Sequence, residues 1–203
     1  IVSPIDYMLQ KNDFQLVILY QPNNKFKTVF DYLNANNINR FVVLGSKTDF
    51  TFMNDMSENY KHDITNQTED YQASLNTNYS TFIIDDLAFE SFPPLRTSFG
   101  NATFSIPFET ILAKKIGSIE TTDPLLLTYE TNDRREAILM GEGIWKWRAQ
   151  SYLNQKSFNP FDDFMGKLVQ YLASNIRKSR LNIEYESFYQ GQSNVVLKAQ
   201  FFN

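Results

Sequence analysis

The run Phe14-Gln15-Leu16-Val17-Ile18-Leu19-Tyr20 is apolar and rich in branched side chains, with Asp13 before it and Gln21-Pro22-Asn23-Asn24 after it. A short apolar run between polar turn residues predicts a buried strand. Phe26, Val29, Phe30 and Leu33 recur at helical spacing, which predicts an amphipathic helix over 24–36 that stops at Asn36-Asn37. Asn39 to Gly45 reads as a second buried strand. Strand, helix and apolar strand in this order predict a parallel βαβ unit.

Further along, Phe50, Phe52, Met53 and Met56 give an apolar face to a helix over 49–57. Residues 61–78 are polar and read as a long excursion with some strand, followed by a short strand over 81–84. Asp85-Asp86 caps a helical turn over 87–92, and Pro93-Pro94 ends it because proline fixes an extended backbone there. Strand-like runs follow at 103–106, 110–116 and 124–129, the last pairing in a hairpin with 134–140. Gly141-Glu142-Gly143 opens a helix that carries Trp145, Trp147, Tyr152 and Leu153. Pro160 lies near the start of another, with Phe161, Phe164, Met165, Leu168, Val169, Tyr171 and Leu172 at its apolar positions. After Ser174 the composition shifts: 175–180 reads as a linker, and 181–203 reads as the first hairpin of a β-sandwich module.

Composition narrows the chemistry. Phe and Tyr number 18 and 11, so material for a core is ample. The net charge of −4 argues against a nucleic-acid backbone as partner, since phosphate contacts need a basic face. Cysteine is absent, which excludes disulfides and every cysteine-dependent reaction. No apolar run approaches the ~20 residues of a membrane span. Both ends read as cuts within a longer chain.

Four strings occur together in order: Phe41-Val42-Val43-Leu44-Gly45-Ser46-Lys47-Thr48-Asp49; Ser91-Phe92-Pro93-Pro94-Leu95 with Phe99-Gly100-Asn101; Lys115-Ile116-Gly117; and Gly141-Glu142-Gly143-Ile144-Trp145-Lys146-Trp147-Arg148. In this order they resemble the class I glutamine amidotransferase-like domain of large bacterial envelope proteins that carry a von Willebrand factor A domain. The resemblance covers roughly 13–174, and the tail resembles the immunoglobulin-like segment that follows in those proteins. It implies a three-layer, flavodoxin-like α/β domain over 1–174 with a mostly parallel sheet, then the linker over 175–180 and the start of an immunoglobulin-like module over 181–203. It also implies a place in the bacterial cell envelope, on the periplasmic side of a membrane-anchored protein, with the membrane reached only through segments outside this chain.

The amidotransferase reaction needs a cysteine thiolate, a histidine base and a carboxylate behind it. This chain has no cysteine and one histidine, His62, which sits among polar residues and reads as a solvated loop side chain. Ser46 follows a buried strand, where α/β folds present reactive groups, so Ser46 with His62 as base is the alternative hydrolase or transferase reading. The string around Ser46 lacks the second glycine of a nucleophile elbow, and the plainer reading is that Ser46 or Thr48 caps the next helix. Asp85-Asp86 and Asp162-Asp163 read as helix starts. Metal binding by histidine or thiolate is excluded by composition, and no cofactor is implied. The two glycines around Glu142 read as a tight turn that packs Trp145 and Trp147 against the sheet edge, with Arg148 reaching Glu142 or another carboxylate. Because Trp and Arg dominate interface hot spots, Glu142, Trp145, Trp147 and Arg148 form the candidate interaction surface. The function expected is a non-catalytic interaction or scaffold domain that binds a protein or other domains of its own polypeptide. A small-ligand or glycan sensor, walled by the many aromatic residues, is a further alternative.

Overall fold

The computed structural model describes residues 14–131 and 133–174, and the backbone of 181–184 and 198–201. Contacts divide the chain into two compact units, Ile1–Ala173 and Ser174–Asn203. In the first, β1 (Leu16–Tyr20) leads through a short 3-10 turn into α1 (Lys27–Ala35) and back into β2 (Asn39–Val43). The Asn23 side chain accepts from the Lys25 N–H at the start of the turn, and Val29, Phe30 and Leu33 are the buried stripe of α1. Asn37 adopts a left-handed backbone (φ 52°), which a short amide side chain tolerates, so the helix stops where the sequence says it should. The chain continues with α2 (Phe50–Met56), β3 (Tyr60–His62), β4 (Thr68–Leu75), β5 (Leu95–Ser98), β6 (Ala102–Phe104), β7 (Glu109–Ile116), β8 (Ile119–Glu130), β9 (Arg135–Leu139), α3 (Trp145–Gln155) and α4 (Asn159–Ala173). In the second unit, β10 (Leu181–Glu184) and β11 (Lys198–Phe201) pair antiparallel. The linker expected over 175–180 and most of the expected β module lie outside the described residues.

Seven strands form one sheet in the order β1-β2-β9-β8-β7-β4-β5. Only β1–β2 and β2–β9 run parallel, while β9–β8, β8–β7, β7–β4 and β4–β5 run antiparallel. The flavodoxin-like, mostly parallel, three-layer architecture expected from the sequence is therefore corrected. The sheet is mixed and large, β3 and β6 form a second two-stranded sheet, and four helices are too few for a doubly wound fold among the described residues. The βαβ unit is present, and so is the β8–β9 hairpin. The difference arises in 61–78. The polar excursion carries β4, a strand of eight residues that joins the sheet between β7 and β5 and extends it by antiparallel pairing.

Strand alternation sends side chains to two cores. Phe41, Val43, Leu126 and Leu139 face one side with Trp147 of α3 and Phe161, Phe164, Leu168 and Leu172 of α4. Val42, Leu44, Leu127 and Ile138 face the other with Phe30 and Leu33 of α1, Phe52 and Met53 of α2, and Tyr60 of β3. A buried ionic cluster closes the lower end of the parallel strands. The Glu136 carboxylate accepts from Arg40 Nε at 2.6 Å, Arg40 Nη2 at 2.8 Å, Arg134 Nε at 2.6 Å and the Tyr129 hydroxyl at 2.5 Å. Burial alone would push this carboxyl up; the guanidinium charges of Arg40 and Arg134 overcome that and hold it below the usual range.

Candidate functional site

The carboxyl ends of the three parallel strands meet at one spot, where open α/β sheets place their ligands. Gln21 directly follows β1, Gly45-Ser46 lie just beyond β2, and Gly141-Glu142 just beyond β9. Gln21 is buried with a left-handed backbone (φ 47°), and its side-chain oxygen accepts from the Lys47 N–H at 3.0 Å. Its amide nitrogen donates to Glu142 Oε2. The Ser46 hydroxyl donates to Glu142 Oε1 at 2.9 Å. A Cβ on Gly45 would fall 2.7 Å from both Gln21 Nε2 and Glu142 Oε2, so a side chain there would push these two side-chain ends apart. The Gly-Glu-Gly turn has a comparable cause. A Cβ on Gly141 would meet Leu95 at 2.8 Å, Gly143 has φ 99°, and Glu142 between them exchanges backbone bonds with Arg96 of β5.

Ser46 and His62 were paired in the alternative reading, and the structure gives each a different partner. His62 is not a solvated loop residue. It lies on β3, is only 7% exposed, and stacks on Phe50 with ring centroids 4.3 Å apart. Its Nδ1 meets the Asp63 carbonyl at 2.6 Å, and since a carbonyl only accepts, the proton sits on Nδ1. Burial holds the imidazole below its ordinary value, with the Lys114 charge adding to the effect. Among the described residues Ser46 and His62 share no hydrogen bond; Ser46 is committed to Glu142. Nor does Ser46 or Thr48 cap α2. Asp49 does so, accepting from the Phe52 N–H at 3.0 Å, while the Thr48 hydroxyl accepts from the Gly45 N–H and closes the turn.

The tryptophans separate sharply. Trp147 is wholly buried, its indole N–H donates to the Pro93 carbonyl at 2.8 Å, and it packs against Phe89 and Phe92. It anchors α3 and so leaves the candidate surface. Trp145 is 71% exposed on the opposite side. One helical turn and two turns further on, Ala149, Tyr152 and Leu153 share that side, and all are exposed. Tyr152 stacks on Phe158 at 4.7 Å, and the Arg148 guanidinium lies 4.1 Å over the Phe158 ring. Arg148 does not reach Glu142; it forms a two-point bridge to Asp162 at 2.7 and 2.9 Å. Ordinary surface helices turn apolar residues inward and polar ones outward. In α3 the inward face is Trp147 and Ser151, and the outward face is aromatic and aliphatic. Reading the sequence alone located Trp145 and Arg148 but missed Tyr152, Leu153 and Phe158 as surface groups. The spacing of 145, 149, 152 and 153 is the signal that finds them. No family model matches the chain, and no curated protein or solved structure matches it.

Proposed function

We propose that the domain is a non-catalytic binding module that docks a protein partner, or another domain of its own polypeptide, on the outward face of α3. The observation that carries this reading is an apolar stripe of Trp145, Ala149, Tyr152 and Leu153 held in water by a helix whose other face is locked into the core. Exposed Trp and Tyr on a rigid backbone are the residue types that contribute most at interfaces, and they lose little conformational freedom on binding. Packing of Phe158 between Arg148 and Tyr152 pre-orders the rim of the stripe. A serine hydrolase reading finds less support, because the Ser46 hydroxyl donates its proton to a carboxylate that Gln21 also holds, while the histidine keeps other partners.

A paired experiment separates the two readings. A fluorophosphonate probe and a panel of short-chain esters test Ser46 chemistry, with Ser46→Ala as control. Identical, background-level labelling of the native chain and Ser46→Ala is the expected result. Ester turnover that disappears in Ser46→Ala would overturn the non-catalytic reading.

A further inference from the structure

The apolar stripe of α3 carries a charge pattern of its own. From Ile144 to Phe161 the chain holds Lys146, Arg148 and Lys156 and no Asp or Glu, although its net charge is −4. Trp145, Ala149 and Tyr152 take the i, i+4 and i+7 places of a helix seam. At about 100° per residue, Lys146 and Arg148 border that seam on its two sides, where charges select partners when helices pack along a seam. Lys156 stands at its C-terminal end. The two borders differ. The Arg148 guanidinium is offset by the Asp162 carboxylate, which it meets at 2.7 and 2.9 Å. The Lys146 ammonium lies 6.0 Å from the centroid of the Trp145 ring, and the Lys156 ammonium donates to the Leu153 carbonyl at 3.3 Å. Both lysines are exposed. Among the described residues the lysines in ion pairs are Lys27, Lys115 and Lys167, so neither Lys146 nor Lys156 is offset by a carboxylate there.

We propose that the occupant of this face is an amphipathic helix of a partner protein whose apolar stripe is bordered by Asp and Glu. The proposal rests on the reading of α3 as the docking face and adds the chemistry of what docks there. Trp145 and Tyr152 supply the apolar anchors, and the partner's carboxylates meet Lys146 on one border and Lys156 at the end. From Trp145 to Lys156 the seam runs about 16 Å, so about three turns of partner helix cover it. A second copy of the chain is disfavoured, because a two-fold contact would lay the stripe on itself and set ammonium against ammonium. An anionic lipid surface is disfavoured by the exposed Asp162 on the Arg148 border, since headgroup charge would face that carboxylate as well. A helix places its carboxylates on one border and avoids that repulsion.

The test places a benzophenone amino acid at Leu153 of the full chain in its native host and sequences the peptide it captures. The expected adduct lies on a segment with apolar residues at helical spacing and Asp or Glu beside them. Lys146→Glu combined with Lys156→Glu turns two attractions into repulsions and should lower the adduct yield about tenfold while the melting temperature holds. Changing the captured segment's carboxylates to Lys should then restore the yield. A captured segment without carboxylates at those places, or an adduct that the double charge reversal leaves unchanged, overturns the proposal and leaves docking on α3 standing. An adduct with lipid or with a second copy of the chain also overturns it. Absence of any adduct from position 153 removes the docking reading itself, and this proposal with it.

Discussion

Replacing Glu136 by Gln removes one negative charge from a cluster that holds two guanidiniums and changes almost nothing in shape. The residue is 1% exposed, and Arg40 is 2% exposed. Four donors converge on its two oxygens. Gln offers one acceptor oxygen and puts an N–H₂ group against a guanidinium donor on the other side. Arg40 cannot neutralise itself, so it stays charged and buried without a carboxylate, left with neutral partners such as the Asn34 side chain at 3.0 Å and the Phe30 ring, 5.5 Å from its centroid. Breaking one side of a buried pair costs about 3–5 kcal/mol. For a domain of this size that is a fall in Tm of about 6–20 °C. Urea unfolding followed by circular dichroism measures it, and the loss should be nearly equal at low and high salt because a buried pair is little screened. Arg40→Met combined with Glu136→Gln should cost about 1–3 kcal/mol less than the two single changes added together. A loss below ~1 kcal/mol for Glu136→Gln, or one that salt removes, would refute the reasoning by showing that the cluster is solvated.

The two tryptophans should respond oppositely. Trp147→Ala costs about 3–5 kcal/mol in urea unfolding through the cavity it leaves, whereas Trp145→Ser changes stability by less than about 0.5 kcal/mol. Gly45→Ala forces the Gln21 and Glu142 side chains apart and should cost about 1–3 kcal/mol, measured by thermal unfolding. His62 has a folded pKa below its unfolded value of about 6.5. Its contribution is therefore fully present above that value and is lost as pH falls through the folded pKa. The unfolding midpoint of the native chain should decline below about pH 6.5 more steeply than that of His62→Phe, as a pH series of melts would show.

Much of the local structure is legible in the sequence because it is written in short-range terms. Val29, Phe30 and Leu33 mark a helix by spacing, Phe41 to Leu44 mark a strand buried on both faces, and Arg134 to Met140 answer 124–129 across a polar turn. The sheet's character was not legible. Whether β9 slots beside β2 and whether β4 lies antiparallel to β7 depend on contacts between residues 96 apart in the first case and 37–43 apart in the second, which no local pattern encodes. The polar residues of β4 hid a strand whose pairing is backbone-driven and whose faces are half exposed. His62 misled for a related reason: its neighbours are polar, yet Phe50 and Asn54 of α2 fold over it. The role of Gln21 was missed entirely, since a glutamine after a strand carries no signal until Glu142 arrives from 121 residues away.

Site-specific photo-crosslinking probes docking on the outward face of α3. A benzophenone amino acid is placed at Leu153, and at Lys25 as an exposed control, in the protein expressed in its native host. The account predicts one discrete adduct from position 153 and none from position 25, with the adduct lost in Trp145→Ser while the melting temperature holds. Equal, diffuse crosslinking from both positions, or an adduct that survives Trp145→Ser unchanged, would contradict it.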